Sequence, residues 1–108
     1  ADFISKYSGK ILNIHPSLLP KFPGLNTHQR AIDASEKKHG ASVHFVTEEV
    51  DGGPVIAQQS VNIDSTDNSQ TLAKKVLKKE HVLYPQVIGW YTQGRLKLLN
   101  NKTVILDK

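Results

Sequence analysis

Two short segments of the chain place a polar or ionisable side chain where an apolar run gives way to Pro or Gly. Asn13 and His15 stand just before Pro16, and Asp51 stands just before Gly52. Such a junction ends a regular element, so it holds a side chain in place and leaves it accessible. An amide beside an imidazole suits acyl chemistry, because the amide N–H can hold a developing oxyanion while the imidazolium donates a proton. The two segments therefore indicate an Asn, a His and an Asp converging on one site.

Each of these residue types also has an ordinary structural role. A strand-end Asn often bonds its own backbone, a single His is usually a packed or surface residue, and Asp-Gly is common in hairpin turns. Asn13 and His15 share strand parity, which places both side chains on one face, about 6 to 7 Å apart. Asp51 is distant in sequence from His15, so only the fold can bring it close. If it does, its negative charge would favour the protonated form of His15.

The sequence gives little support to other kinds of site. It contains no Cys, and no pair of histidines has the spacing of a metal-binding motif, so we expect no metal. Ser17 lacks the flanking glycines of a nucleophile elbow, and the Gly pair after Asp51 lacks the spacing of a phosphate-binding loop. Among the other histidines, we expect His39 and His81 to be solvated and His44 to be buried.

The composition is that of a soluble globular domain. The chain has 108 residues, of which 38% are hydrophobic and 22% charged, and its formal net charge is +4. The absence of Cys fits a reducing cytoplasm, and no apolar run is long enough to cross a bilayer. Basic and aromatic residues are not interleaved as in base-stacking surfaces. We therefore expect a cytoplasmic protein with neither nucleic acid nor membrane as a partner, and a homo-oligomer stays open.

The hydrophobic pattern predicts an alternation of strands and helices. Residues 10–15 read as a buried strand, and Asn26 or Thr27 is the predicted start of a helix that ends at Gly40. Partial alternation over residues 41–50 and 55–63 predicts two strands joined as a hairpin.

A long amphipathic helix is predicted after the polar loop 64–70. Asp67 or Ser69 is the candidate N-cap, Pro85 is expected to kink the helix, and Gly94 is expected to end it. Two extended pieces, 95–99 and 103–106, are expected to form a small hairpin. The predicted apolar face of the helix consists of Leu72, Val76, Leu77, Leu83, Val87, Ile88 and Tyr91.

The segment NIHPSLLP at residues 13–20, with DGGP at residues 51–54, resembles the folate-dependent formyltransferases. Three further segments, PGLNTH, GASVHFV and EHVLYP, are similar to the branch of that family that formylates glycinamide ribonucleotide. The resemblance implies formyl transfer from 10-formyltetrahydrofolate, a co-substrate, to the amine of glycinamide ribonucleotide in purine biosynthesis. It implies two small-molecule substrates and no metal.

The resemblance also implies an α/β fold, the C-terminal half of a doubly wound, mostly parallel Rossmann-like sheet with helices packed on it. Residues 1–108 would be a single partial domain that lacks the family's N-terminal half. The chain opens without Met on Phe3, Ile4 and Tyr7 at helical spacing, so we expect a truncated or processed chain. The isolated chain is accordingly expected to be weakly active or inactive. Two alternatives are an enzyme that formylates methionyl-tRNA and a non-catalytic folate-binding or structural fragment.

The resemblance assigns roles to individual residues. His15 would be the proton donor, Asp51 would favour its protonated form, and Asn13 would contact the formyl group. Leu77 stands where we would expect a polar residue. The residues implied in folate binding are Asn13, Thr47, Glu48, Glu49, Val50 and Asp51, and those implied in contacting the ribonucleotide are Leu77, Lys78, Lys79 and Glu80.

Overall fold

A computed structural model of the chain describes residues 12–46, 53–99 and 103–106. The predicted opening helix and the turn at Asp51 and Gly52 lie outside these residues. The elements in chain order are β1 (Leu12–His15), α1 (Thr27–Asp33), β2 (Lys38–Phe45), β3 (Val55–Asn62), α2 (Ser69–Thr92), β4 (Leu96–Leu99) and β5 (Thr103–Leu106).

The strands form two antiparallel sheets. In the larger sheet β2 lies between β1 and β3, and in the smaller sheet β4 pairs with β5. The predicted β2–β3 and β4–β5 hairpins are confirmed. Every strand pair in the described part of the chain is antiparallel, whereas a mostly parallel sheet was expected. A parallel pair needs a crossover of a dozen or more residues, so the shorter segments joining β2 to β3 and β4 to β5 require antiparallel pairs. The pair of β1 and β2 is also antiparallel, although the connection between these strands contains α1.

Strand pairing gives the larger sheet one apolar and one polar face. On the apolar face, Ile14 lies opposite Val43, and Val43 lies opposite Ala57. This face packs against α2, whose Leu72, Val76, Leu83 and Val87 are buried with Ala41 and Val43 in the core. The other face carries Asn13, His15, Ser42, His44 and Gln58. The predicted catalytic residues of β1 therefore lie on the face away from the hydrophobic core.

Helix α2 begins with a capping box. The Asn68 side chain accepts hydrogen bonds from the backbone N–H groups of Gln70 and Thr71, and the Thr71 hydroxyl accepts one from the Asn68 N–H. The prediction that Asp67 or Ser69 is the N-cap is therefore wrong. Asp67 instead forms an ion pair with Lys75, with an oxygen–nitrogen distance of 2.6 Å.

The later part of α2 matches the sequence pattern in most respects. Pro85 lies inside the helix, and Gly94 follows its end with a positive φ of 70°, which glycine adopts without steric cost. Two members of the predicted apolar face are not buried, because Leu77 and Ile88 are 49% and 40% exposed. These two side chains lie on a flank of α2 that the larger sheet does not cover.

Helix α1 is shorter than predicted. It ends at Asp33, because Ser35 takes a left-handed φ of 57° and the Glu36 N–H turns back to the Ala31 carbonyl. Gly40, the predicted stop, lies instead in β2. A Cβ atom at Gly40 would stand 2.0 Å from the Gln59 carbonyl oxygen of β3, so glycine permits the close approach of the two strands.

We expect Gly40→Ala to destabilise the chain by about 1–3 kcal/mol, because the added methyl group forces β2 and β3 apart. Gly89→Ala is the matched control. A Cβ atom at Gly89 meets nothing within 4 Å, and alanine in a helix interior stabilises by about 0.5–1 kcal/mol relative to glycine. Urea unfolding of both variants measures the difference. Equal stabilities for Gly40→Ala and the unsubstituted chain would contradict the steric argument.

Candidate active site

His15 ends β1 and is held by a backbone carbonyl of the loop that follows. Its side chain is 6% exposed, and Nε2 lies 2.9 Å from the Phe22 carbonyl oxygen. A carbonyl oxygen only accepts, so Nε2 carries a proton and donates it. Asn13 is exposed on the same face of β1, as strand parity predicted.

The segment from residue 16 to residue 26, here called the Pro-rich loop, folds back to reach His15. The Ser17 N–H donates to the His15 carbonyl at 2.9 Å, and the Ser17 hydroxyl donates to the Lys21 carbonyl at 2.7 Å. Phe22 then takes a left-handed φ of 53°. Positive φ is uncommon outside glycine and persists where the surroundings fix it. The backbone of Phe22 is thus set by the loop that presents its carbonyl to His15.

Arg30 of α1 fixes the second half of the Pro-rich loop. Its Nη1 donates to the Pro23 carbonyl at 2.6 Å and to the Leu25 carbonyl at 2.9 Å. Its guanidinium carbon lies 5.5 Å from the centre of the Phe22 ring, within the range of a cation–π contact. One side chain therefore holds the loop by two carbonyls and an aromatic ring.

A buried histidine pair supports the loop from the side of β2. His39 is 1% exposed, so the expectation that it is solvated is wrong. Its Nε2 lies 3.2 Å from Nδ1 of His28, and its ring meets the Phe22 ring edge-on at 6.2 Å. Burial lowers the pKa of His39 to about 4, assisted by the charges of His28 and His15 and opposed by Glu36. Burial also lowers the pKa of His28.

The two remaining histidines behave as predicted. His44 is 3% exposed, and its Nδ1 lies 2.9 Å from the Phe45 carbonyl oxygen. His81 is exposed on α2.

Glu80 lies beside a cavity that opens between β1 and α2. The cavity has a volume of about 320 Å³ and is lined by Ile14, Leu77, Glu80, His81, Tyr84 and Pro85. Burial raises the pKa of Glu80, and the charges of His81 and His15 oppose this shift. Leu77 and Glu80 thus share one cavity within electrostatic reach of His15. Lys78 is exposed and Lys79 half-buried, and neither lines the cavity.

Part of the predicted site lies outside the described residues. Asp51 and the predicted folate-binding residues 47–50 belong to this part, so their roles stay predictions. Sequence reasoning missed the Phe22 carbonyl, Arg30, Ser42 and Gln58. No local motif identifies them, since each acts through a contact that only the fold creates.

The described residues contain no group of three or more His, Asp or Glu side chains placed to hold a metal ion. Within the same residues, no helix combines the length and apolar character needed to span a membrane.

The site and fold together define an α/β protein with a buried histidine at the end of a strand. The chain belongs to the formyl transferase family, whose family model matches residues 1–88. The resemblance seen in the sequence motifs is thereby confirmed.

The similar proteins include enzymes of purine biosynthesis. The chain is 52% identical over 99 residues to the phosphoribosylglycinamide formyltransferase of Escherichia coli (strain K12), covering 92% of this chain and 47% of that protein. It is 41% identical to the trifunctional purine biosynthetic protein adenosine-3 of Bos taurus, covering 10% of that longer protein.

Solved structures confirm the α/β fold class. The phosphoribosylglycinamide formyltransferase of Coxiella burnetii superposes with a TM-score of 0.93 at 51% identity, covering 98% of this chain and 49% of that one. A formyltetrahydrofolate deformylase of Pseudomonas syringae superposes with a TM-score of 0.92 at 27% identity, covering 99% of this chain and 36% of that one. The chain therefore spans about half the length of its formyltransferase relatives.

The buried His39 predicts a stability that falls in acid. Its folded-state pKa is about 4 and its ordinary value is 6.5, so between these values the unfolded chain binds the proton more readily. The stability that neutral His39 contributes is full above about pH 6.5 and is lost as the pH falls through about 4. We expect His39→Gln to flatten this slope in urea unfolding from about pH 7 to about pH 4.5. The exposed His81 supplies the control, His81→Gln, which should keep the slope. If stability falls as steeply with pH in His39→Gln as in the unsubstituted chain, the loss of stability in acid does not come from His39.

Proposed function

We propose that the protein carrying this chain transfers a formyl group from 10-formyltetrahydrofolate to the amine of glycinamide ribonucleotide. The observation that carries the proposal is the buried His15 imidazole at the end of β1, whose Nε2–H is held by the Phe22 carbonyl. The support from relatives is the 52% identity to a phosphoribosylglycinamide formyltransferase. Such an enzyme acts in purine biosynthesis, and we place it in the cytoplasm.

The formyl donor supplies an electrophilic carbonyl. The residues of this chain stabilise the charge that develops on it and donate protons. When the substrate amine adds to the formyl carbon, the carbonyl electron pair moves onto oxygen. The Asn13 amide donates a hydrogen bond to that oxygen, and protonated His15 stabilises it. The electron pair on oxygen then re-forms the carbonyl as the bond from the formyl carbon to the folate nitrogen breaks, and that nitrogen takes a proton from His15. The added amine releases one proton to solvent, and solvent returns a proton to His15, so the transfer balances. The charge of Asp51 favours the protonated form of His15.

The remaining assignments follow the family resemblance. Residues 47–51 hold the pterin of the folate, and Glu80, Leu77, Lys78 and Lys79 contact the ribonucleotide. Leu77 and Glu80 line the cavity beside β1, which supports a substrate at that place. We further propose that residues 1–108 are one partial domain and that the family's other half completes the binding cleft. The isolated chain is accordingly expected to transfer formyl groups weakly or not at all.

In the full-length protein, we expect His15→Ala and Asp51→Asn each to lower kcat by about a hundredfold to ten-thousandfold, because proton transfer and its charge partner are lost. Asp33→Asn is the control, since Asp33 is exposed on α1 and accepts a hydrogen bond from Gln29 at 2.8 Å, away from His15 in the sequence and on another element. The assay quantifies formylated amine and free formate together. Near-normal turnover in His15→Ala would refute the proposal, and release of formate without formylated amine would indicate a deformylase.

Glu80→Gln tests the ribonucleotide contact. A hydrogen bond to a charged group contributes about 1.5–3 kcal/mol, so its loss should raise KM for the amine substrate by about tenfold or more. KM for the folate should stay within about twofold, because Glu80 is not among the residues implied in folate binding. Steady-state kinetics with each substrate varied in turn measures both constants, with Asp33→Asn again as the control. An unchanged KM for the amine would remove Glu80 from the substrate site.

A further inference from the structure

A row of polar side chains crosses the polar face of the larger sheet and ends at His15. Gln58 on β3 lies opposite Ser42 on β2, and Ser42 lies opposite His15 on β1. Ser42 and His15 are buried, whereas Gln58 is exposed. Gln58 is therefore the solvent-side member of a row whose far end is the predicted proton donor.

The buried Ser42 hydroxyl uses its whole hydrogen-bonding capacity. It donates to the Ser17 carbonyl at 2.7 Å, and this direction is fixed because a carbonyl only accepts. Its oxygen accepts from the Leu19 N–H at 3.0 Å and from Gln58 Nε2 at 2.9 Å. One donated and two accepted bonds are all that a hydroxyl can make. Removing the Gln58 donor thus changes the surroundings of both loop residues.

Gln58 also holds the Pro-rich loop directly. Its Nε2 donates a second hydrogen bond, at 2.8 Å, to the Leu19 carbonyl. The backbone of Leu19 is consequently fixed at its N–H by Ser42 and at its carbonyl by Gln58. Phe22 follows shortly after in the loop, and its carbonyl accepts the Nε2–H of His15. Gln58 is thus connected to the His15 imidazole by its hydrogen bond to Leu19, the backbone of residues 19–22 and the hydrogen bond of Phe22.

We propose that Gln58 is a positioning residue for His15. By holding Leu19 and Ser42, it keeps the Phe22 carbonyl against Nε2 of His15 and so fixes the orientation of the imidazole ring. The kinetic part of this inference rests on the proposed formyl transfer, whereas the structural part rests on the contacts alone. A shift of about 1 Å in a catalytic group can cost about a hundredfold in rate, so the hold on the loop matters for turnover.

Gln58→Glu in the full-length protein is the test variant, because a carboxylate keeps the size of the amide but cannot donate to Leu19 or Ser42. We expect kcat to fall about tenfold or more while KM for both substrates stays within about threefold. Ser60→Ala is the matched control, since Ser60 is exposed two residues further along β3 on the same face, and it should behave as the unsubstituted protein.

The exchange of the His15 Nε2 proton with water gives a readout independent of activity. In protein labelled with nitrogen-15 at histidine, we expect Gln58→Glu to speed this exchange by about tenfold or more, because the bond to Phe22 opens more often. An exchange rate equal to that of Ser60→Ala would overturn the proposal, whatever the kinetics. If the unsubstituted protein transfers no formyl group, the proposed function fails, and the exchange rates still decide whether Gln58 positions His15.

Discussion

A segment without regular secondary structure must find partners for its backbone polar groups elsewhere wherever it is buried, and this constraint acts on the Pro-rich loop around the buried Ser17 and Leu19. Its three prolines have no N–H group, so backbone acceptors outnumber backbone donors in the loop. Those of Ser17, Leu19 and Phe22 accept from side chains of the sheet, those of Pro16, Pro23 and Leu25 from side chains of α1, and that of Lys21 from a hydroxyl within the loop. The loop is thereby fixed by side chains of the flanking β1 and α1 together with Ser42 and Gln58, which are distant in sequence.

The two faces of the larger sheet have different roles, because one packs in the hydrophobic core and the other carries the candidate site. The apolar face packs on α2 and forms the core, and such a core tolerates few polar groups. The polar face supports the loop and carries His15, Ser42 and Gln58 in one row. Because alternate residues of a strand point to opposite faces, β1 contributes Ile14 to the core and His15 to the candidate site. A single short strand thus connects the core to the candidate site.

Local patterns in the sequence predicted much of the fold and only the centre of the site. The hairpins, the long helix through Pro85 and the shared face of Asn13 and His15 all depend on short-range periodicity, and they match the structure. The end of α1, the Asn68 cap and the burial of His39 were missed. In each case a tertiary contact or a neighbouring candidate of equal propensity decided the outcome. The residues that support His15 could not be predicted for the same reason. No sequence pattern indicates, for example, that Gln58 contacts Leu19.

The contacts of Arg30 with the Pro-rich loop stabilise both α1 and the loop. Helix α1 has only seven residues, and a helix this short is unstable in water without tertiary contacts. Its Arg30 is occupied by the Pro23 and Leu25 carbonyls and by the Phe22 ring, so the loop cannot open without releasing the helix. We therefore expect loop and helix to open together, with their amide protons becoming accessible at similar rates. On this expectation the surroundings of His15 are assembled or opened in a single step.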